Sequence, residues 1–310
     1  MEKCWGISKA GQNEAALMSH FYWGLLLLVT LLPRARQAFR RSPAKDPTMG
    51  KTRLASILAA IACSAAFPAA FAVPCVKESP PHSVALIELY TSEGCDSCPP
   101  AERWLSGIAP GGFGADQVIP LALHVDYWDR LGWKDRFSSA RFSERQRALA
   151  TLARSRTVYT PEVFLNLREL RGWGSATQFQ QVIQDVNAKP ALAQIRLELD
   201  PALSAQLQVK ASFALKPGGA ARQPQGFVAL YENKLSTDVQ AGENRGATLR
   251  HDFVVREWIG PIELVGGKAE YRSALALDPA WNPRNLGVAA FIQDFGSGEV
   301  LQATALPYCS

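Results

Sequence analysis

Two cysteines three positions apart, Cys95 and Cys98, stand between an apolar run and a pair of prolines, and this spacing limits the fold more than any other feature. The run 84–90 before them is typical of a buried strand. Pro99 and Pro100 after them suit the first turn of a helix, where a missing N–H costs nothing. The segment is therefore predicted to run from a strand through a cysteine loop into a helix.

Further strands and helices alternate beyond this helix. The apolar run 118–125 predicts a second strand, 138–154 predicts a polar helix, and the segment after Pro161 predicts a third strand. A turn, a short strand over 170–173 and a helix ending near residue 188 follow. This order predicts an α/β domain with a mixed sheet flanked by helices.

The pattern changes after Pro190, where alternating apolar and polar residues replace the helical periodicity. About seven strands separated by turn signals, and no convincing helix, are read in the remainder. Such a pattern is typical of an antiparallel sandwich. We therefore predict two domains in the mature chain, the α/β domain over 73–190 and a β-sandwich-like domain over 191–310.

Residues 49–72 contain the three parts of a secretory signal peptide in their usual order. Lys51 and Arg53 form a positively charged start, 54–67 is apolar, and Ala70-Phe71-Ala72 is a small-residue cleavage signal. We expect cleavage after this signal and a secreted or periplasmic mature protein.

Met49 stands where translation of such a signal peptide would start. We therefore interpret residues 1–48 as an upstream extension of the reading frame or a disordered segment. The alternative is a membrane anchor at 21–32, which would have only twelve residues, well short of the roughly 20 that cross a bilayer. We expect no membrane span in the mature protein.

Four of the six cysteines lie in the predicted mature chain, which would occupy a compartment where disulfides persist. Cys95 and Cys98 are near neighbours, whereas Cys75 and Cys309 lie at the two ends of that chain. We predict one local disulfide and one structural disulfide that joins the termini.

The net charge of +5 comes from the first 72 residues, which hold nine basic and three acidic side chains. The mature chain has no basic stripe, so a nucleic-acid partner is not expected. The sequence also lacks the G-x-S-x-G, P-loop and G-x-G-x-x-G motifs of hydrolases and nucleotide-binding proteins.

A cysteine at the start of a helix is more reactive than usual, because free N–H groups and the helix dipole stabilise its thiolate. Cys95 would be the nucleophile, and Cys98, one turn further along, would resolve the mixed disulfide. The Asp96 carboxylate opposes thiolate formation, so the direction of exchange stays open. With Thr160-Pro161 before a later strand, this arrangement resembles thioredoxin-like folds, which implies a cis-proline beside the cysteines.

Four segments together resemble the secreted family called domain of unknown function 1223. They are V-A-L-I-E-L-Y-T-S-E-G-C-D-S-C-P-P-A-E-R-W-L, H-V-D-Y-W-D-R-L-G-W-K-D-R-F, V-Y-T-P-E-V-F-L-N and G-E-N-R-G-A-T-L-R-H-D-F-V-V-R-E. They cover most of 84–310. The resemblance implies a thioredoxin-like domain, but it assigns no activity, because the family has no settled function.

Other side chains are candidates for supporting roles around Cys95. Glu88 interrupts the first strand and is either a buried proton relay under the disulfide or a solvent-facing strand residue. His124, Asp126 and Trp128 follow the end of the second strand, where parallel-sheet proteins place ligand groups. The alternative is that these three side chains have a purely structural role, in hydrogen bonding and packing within the fold.

The sequence therefore favours an exported thiol–disulfide oxidoreductase or thiol carrier. Cys95, Cys98 and Pro161, supported by Thr160, would act on protein or small-molecule thiols and disulfides without a cofactor. One alternative is a secreted binding module in which the Cys95–Cys98 bridge is only structural. The other is a soft-metal protein that holds copper through Cys95, Cys98 and His124.

Overall fold

The computed structural model describes residues 75–200, 206–218 and 221–309. All of them belong to one compact unit of the chain, residues 69–310. The predicted upstream extension (1–48) and signal peptide (49–72) lie outside the described residues. Within the described part, no helix is long and apolar enough to cross a membrane.

Fourteen strands and three α-helices make up this part of the chain. The helices are α1 (Pro99–Ser106), α2 (Ala140–Leu152) and α3 (Ala176–Asn187). The strands are β1 (Cys75–Glu78), β2 (Ala85–Thr91), β3 (Val118–His124), β4 (Glu162–Leu165), β5 (Arg168–Glu169), β6 (Ala193–Asp200), β7 (Gln206–Leu215), β8 (Pro224–Glu232), β9 (Leu235–Asp238), β10 (Thr248–His251), β11 (Val254–Glu263), β12 (Lys268–Ala276), β13 (Leu286–Asp294) and β14 (Glu299–Pro307).

Eight of these strands form one mixed sheet in the order β14-β13-β8-β11-β3-β2-β4-β5. Strands β2 and β3 are parallel, and β4 runs antiparallel to β2. At the centre, β11 lies parallel to β3, with Val254 beside Ala122. The Ala122 N–H donates to the carbonyl of Phe253 over 2.9 Å. The first and last thirds of the described chain therefore share a single sheet.

The predicted fold class, a thioredoxin-like α/β domain followed by a separate β-sandwich-like domain, is wrong. Strands from both 73–190 and 191–310 build the eight-stranded sheet, and β1 pairs with β6 in a second sheet. An unpaired β3 would have left a row of backbone N–H and C=O groups open, and β11 occupies that edge. The predicted short strand at 170–173 is also displaced, because β5 lies at Arg168–Glu169.

The second sheet is antiparallel, with the order β1-β6-β7-β12. Its inward side chains, such as Ile195 and Val209, pack against Val228 and Val288 of the large sheet. Helices α1 and α3 cover the β2–β3 half of that same face. Helix α2 covers the opposite face and buries Leu149 there. The large sheet is thus covered on both faces, which explains why β2, β3 and β13 are buried along their whole length and β8 is buried from its third residue onward.

A disulfide between Cys75 and Cys309 joins the two ends of this unit, as predicted. The two Cα atoms are 6.3 Å apart and separated by 234 positions in sequence. Cys75 begins β1, and Cys309 follows β14. The bond therefore closes almost the whole described chain into one loop.

Replacing both cysteines, Cys75→Ser with Cys309→Ser, should lower the free energy of unfolding by several kcal/mol. Chain entropy for a loop of this length sets an upper figure of about 5 kcal/mol, because the unfolded chain regains freedom that the bond had removed. Urea unfolding of the two oxidised proteins measures the change, with mass spectrometry confirming that Cys95–Cys98 is intact in both. An unfolding midpoint equal to that of the parent would contradict the expected stabilisation.

Candidate functional site

The Cys95–Cys98 disulfide lies at the start of α1, and its formation confirms the predicted local pair. Cys98 is the N-terminal cap residue of α1. Its carbonyl accepts from the N–H groups of Ala101 and Glu102, over 3.0 Å and 3.2 Å. The Ser97 hydroxyl lies 3.3 Å from the Cys95 sulfur. The two sulfurs are bonded to each other, whereas the alternative copper site of Cys95, Cys98 and His124 would need them as thiolates.

Neither cysteine has exposed surface, and a loop from the C-terminal part of the chain fastens the cysteine loop in place. We call residues 239–247, between β9 and β10, the clamp loop. In it, Asn244 Nδ2 donates to the carbonyls of Glu93 and Cys95, over 2.9 Å and 2.8 Å. The carboxylate of Glu243 accepts from the Asp96 N–H over 3.1 Å. The backbone on both sides of Cys95 is therefore held by a segment more than 140 positions away in sequence.

Trp128 connects the cysteine loop to the proline segment. Its indole Nε1 donates to the Thr160 hydroxyl over 2.7 Å. Its Cβ lies 3.5 Å from the position that a Cβ on Gly94 would take. The Thr160–Pro161 bond is cis, as predicted. The structure thus brings Trp128 and Thr160 to the cysteine loop.

Glu88 points away from α1. Side chains alternate along a strand, and Thr91 reaches α1 while Glu88 faces α2 on the opposite side of the sheet. There its carboxylate accepts two hydrogen bonds from Arg145, over 2.5 Å and 2.7 Å, and one from the Tyr90 hydroxyl. The Arg145 guanidinium lies 4.7 Å from the centre of the Trp258 ring. Glu88 belongs to a buried ion pair of the core.

Asp126 also faces α2, where its carboxylate accepts from the Ser143 hydroxyl over 2.5 Å. His124 instead faces α1 and stands beside residues that the sequence did not single out. His124 Nδ1 donates to Asp135 over 2.6 Å. Asp135 also accepts from the N–H groups of Glu93 and Phe137, both over 2.8 Å. Burial raises the pKa of Asp135, but the neighbouring His124 outweighs this effect and lowers it.

The buried acid next to the disulfide is Glu102, which sequence reasoning missed. Glu102 lies four positions after Cys98, so both are on one face of α1, and this spacing was the available signal. It accepts from the Thr91 hydroxyl over 2.6 Å and from His251 Nδ1 over 2.5 Å. Burial is the largest single influence and raises the pKa of Glu102, but the hydrogen bond and charge of His251, with smaller effects of His124 and Thr91, together outweigh burial and lower it.

His251, at the end of β10, is the partner that joins Glu102 to the C-terminal strands. Its second nitrogen, Nε2, lies 3.3 Å from Glu93 Oε1, although the geometry is not that of a hydrogen bond. Burial alone would lower the pKa of His251. The carboxylates of Glu102 and Glu93 outweigh burial and raise the pKa to about 10.

Glu162, directly after Pro161, is a second buried acid near the proline segment. It accepts from Gln146 Nε2 over 2.7 Å, and its other oxygen has no partner among the described residues. Burial raises its pKa to about 7. In the unfolded chain the Glu162 carboxyl loses its proton near pH 4.5, whereas in the folded protein it keeps the proton up to about pH 7. Between these two pH values Glu162 therefore destabilises the fold increasingly as the pH rises.

The substitution Glu162→Gln should remove this pH dependence, because an amide stays neutral. Relative to the parent, the variant should gain about 2–3 kcal/mol in free energy of unfolding between pH 5 and pH 8. Urea unfolding at the two pH values measures the difference. Glu144→Gln, at an exposed position of α2, is the matched control and should show no such gain. A parallel pH profile for Glu162→Gln and the parent would mean that Glu162 is ionised in the fold at pH 5.

Known structures share this fold at low sequence identity. Protein AGR_C_4864 from Agrobacterium tumefaciens matches 74% of this chain and 96% of its own, with 22% identity and a TM-score of 0.55. HBP35 of Porphyromonas gingivalis matches 74% of this chain and 76% of its own, with 14% identity and a TM-score of 0.58. No curated protein matches the chain.

The family profile described as "Protein of unknown function (DUF1223)" matches residues 86–293. This range begins in β2, ends in β13, and includes the cysteine loop, the clamp loop and both buried histidines. The match confirms the resemblance seen in the sequence and covers well over half of the chain. The chain belongs to the DUF1223 family.

Proposed function

We propose that this protein is an exported thiol–disulfide exchange protein that cycles the Cys95–Cys98 pair between disulfide and dithiol. The observation that carries the proposal is a formed disulfide at the start of α1, connected through Trp128 to the Thr160–Pro161 segment. Its partners would be protein or small-molecule thiols and disulfides, and the cysteines would need no cofactor.

Export is supported by two independent features. Residues 49–72 have the pattern of a signal peptide, and both disulfides of the described chain are formed. Disulfides persist in the periplasm and outside the cell but are rare in the cytosol. Mass spectrometry of protein recovered from the periplasm or medium should find an N-terminus at Val73.

The exchange would proceed through a mixed disulfide. In the reduced protein, the Cys95 thiolate attacks a partner disulfide, forms a bond to one partner sulfur and releases the other as a thiolate. The Cys98 thiolate then attacks Cys95, restores the Cys95–Cys98 bond and releases the second partner sulfur. The partner gains two electrons and the cysteine pair loses two. The start of α1 stabilises the thiolate, whereas the Asp96 and Glu243 carboxylates oppose it.

Because both cysteines are buried, a partner reaches them only when a neighbouring segment moves, and we propose that this segment is the clamp loop, which holds the backbone on both sides of Cys95. Asn244 supplies two of the hydrogen bonds that keep it closed. Each such bond contributes about 0.5–1.5 kcal/mol, so removing both should lower the free energy of opening by about 1–3 kcal/mol. The exchange rate of the Cys95–Cys98 bond is therefore expected to depend on the clamp loop.

The substitution Asn244→Ala should speed reduction of Cys95–Cys98 by dithiothreitol by about 5- to 150-fold, since every 1.4 kcal/mol is tenfold. Asn187→Ala is the matched control, because Asn187 Nδ2 also donates to two backbone carbonyls, those of Ser83 and Gln117. Quenching with an alkylating reagent and mass spectrometry measure the rate. Equal rates in the two variants would show that the clamp loop does not limit access.

The reduction potential of Cys95–Cys98 should lie above about −300 mV, the range of exchange-active disulfides. The Cys75–Cys309 bond is an internal comparison. Its cysteines are only partly buried, so accessibility alone predicts that it is reduced first. If Cys95–Cys98 is exchange-active, it should instead be reduced before Cys75–Cys309 at equilibrium in glutathione and dithiothreitol buffers.

Wild-type protein should also catalyse insulin reduction, whereas the Cys95→Ser variant should not. Equal activity of the two proteins would refute the proposal.

A binding module with a purely structural Cys95–Cys98 bridge is the second candidate, and the complete burial of both cysteines favours it. Structural bridges have potentials below about −300 mV and resist the glutathione pool. The same titration therefore separates the two candidates, because a Cys95–Cys98 potential below that of Cys75–Cys309 would support the binding module.

A further inference from the structure

Three side chains with metal-binding atoms meet between β3, α1 and β10. They are His124, Glu102 and His251, and all three are buried. One ligand atom of each lies within 4.8 Å of the others. We propose that His124 and His251, together with the carboxylate of Glu93, bind a divalent transition-metal ion such as Zn²⁺, and that Glu102 orients His251 from its other nitrogen. This site uses no sulfur atom and does not depend on exchange activity of the cysteines.

Unpartnered polar atoms mark the place where the ion would bind. Among the described residues, His124 Nε2, His251 Nε2 and Glu93 Oε1 are buried and have no hydrogen-bond partner. A buried polar group without a partner costs about 1–3 kcal/mol, and native proteins contain few of them. Three such atoms on residues of one cluster indicate that a ligand satisfies them together.

The spacing of these atoms suits a metal ion. His251 Nε2 and Glu93 Oε1 are 3.3 Å apart. Two ligand atoms at bonds of about 2.0–2.1 Å in a tetrahedral site are separated by roughly that distance. A hydrogen bond between the same two atoms would require an alignment that the structure lacks. A shared metal ion accounts for both the distance and the missing hydrogen bond.

The other nitrogen of each histidine is already held by a carboxylate. Asp135 accepts from His124 Nδ1, and Glu102 accepts from His251 Nδ1. Carboxylates of this kind orient metal-binding histidines and fix the tautomer that leaves Nε2 free for the metal. The Asp135 carboxylate is fixed in turn by the N–H groups of Glu93 and Phe137. The orientation of both imidazole rings is thus fixed even in the absence of a metal ion.

The charge balance of the cluster also favours a cation. Three buried carboxylates, those of Glu93, Glu102 and Asp135, face only two imidazoles, and no salt bridge among the described residues joins any of them to Lys or Arg. Uncompensated buried charge is costly. A divalent ion would reduce the net negative charge of the cluster. Two imidazole nitrogens with carboxylate oxygens suit Zn²⁺ and similar ions, whereas Ca²⁺ and Mg²⁺ prefer oxygen alone.

The test uses the full mature chain, oxidised so that no thiol can bind metal, and purified without a histidine tag. After treatment with EDTA and removal of the chelator, Zn²⁺ is titrated at pH 7.5 by calorimetry. We expect one equivalent to bind and the thermal midpoint to rise, because an ion at 100 times its Kd stabilises a fold by about 2.7 kcal/mol. Co²⁺ should give visible absorption bands without the charge-transfer band of a thiolate ligand.

Variants separate this site from adventitious binding. His251→Ala and His124→Gln should weaken Zn²⁺ binding by more than the roughly 10–100-fold that loss of an outer partner costs. Asp135→Asn should weaken it within that range. His82→Ala is the matched control, because His82 bonds to the Asp116 carbonyl elsewhere on the chain, and it should bind like the parent.

Circular dichroism identifies the variants that keep the fold. If a histidine variant loses it, Glu93→Gln is the milder substitution, and unweakened Zn²⁺ binding by folded Glu93→Gln would equally overturn the proposal. Unweakened Zn²⁺ binding by a folded variant of His124 or His251 would overturn the proposal. So would the absence of stoichiometric binding by the parent, or an equal loss of affinity in His82→Ala.

Discussion

The pairing of β11 with β3 is the contact on which the rest of the architecture depends. It consists of Val254 beside Ala122 and a 2.9 Å hydrogen bond between Ala122 and Phe253. His251 precedes this contact by only two residues, so the pairing carries β10 and the clamp loop to the start of α1. Without it, His251 would not reach Glu102, and Asn244 would not reach the backbone of Cys95.

The two faces of the large sheet bury charge in different ways. On the α2 face, Glu88 and Arg145 form a complete pair whose hydrogen bonds are satisfied and whose cation lies among aromatic rings. Such a pair is closed and has no capacity left for a ligand. On the α1 face, His124 and His251 each keep one nitrogen without a hydrogen-bond partner. A buried ion pair whose hydrogen bonds are all made contributes to the fold, whereas a cluster that keeps several unpaired nitrogen and oxygen atoms can still bind a ligand.

Local features were predictable from the sequence because they depend on neighbours along the chain. The strand before Cys95, the helix after Cys98 and the Cys95–Cys98 pair were predicted correctly on this basis. The cis Thr160–Pro161 bond was predicted from a resemblance, and the Cys75–Cys309 pair from the number and position of the cysteines. Apolar alternation predicts that a segment is a strand but not which strand it will pair with. For this reason β8, β11, β13 and β14 were assigned to a separate domain, although they complete the sheet that begins with β2 and β3.

The site was only partly predictable for the same reason. His124 was a candidate because it ends a strand beside the cysteine loop, and Glu88 was one because it is charged within an apolar run. The face that Glu88 occupies depends on where α1 and α2 pack, which the strand itself does not encode. Glu102 and His251 are 149 positions apart, and only the β11–β3 pairing joins them.

Burial of a disulfide and its reactivity are compatible when the covering segment is held by few contacts. The clamp loop contacts the cysteine loop through Asn244 and Glu243, which together make three hydrogen bonds to its backbone. Those bonds contribute only a few kcal/mol, since each is worth about 0.5–1.5 kcal/mol, and opening at such a cost is ordinary for local segments of native proteins. The His251–Glu102 contact at the base of β10 lies between two buried groups and is the stronger link, because a charged hydrogen bond exceeds a neutral one. If the protein exchanges disulfides as proposed, the loop would open while β10 stays in place, and Cys95 would become accessible without unfolding of the sheet.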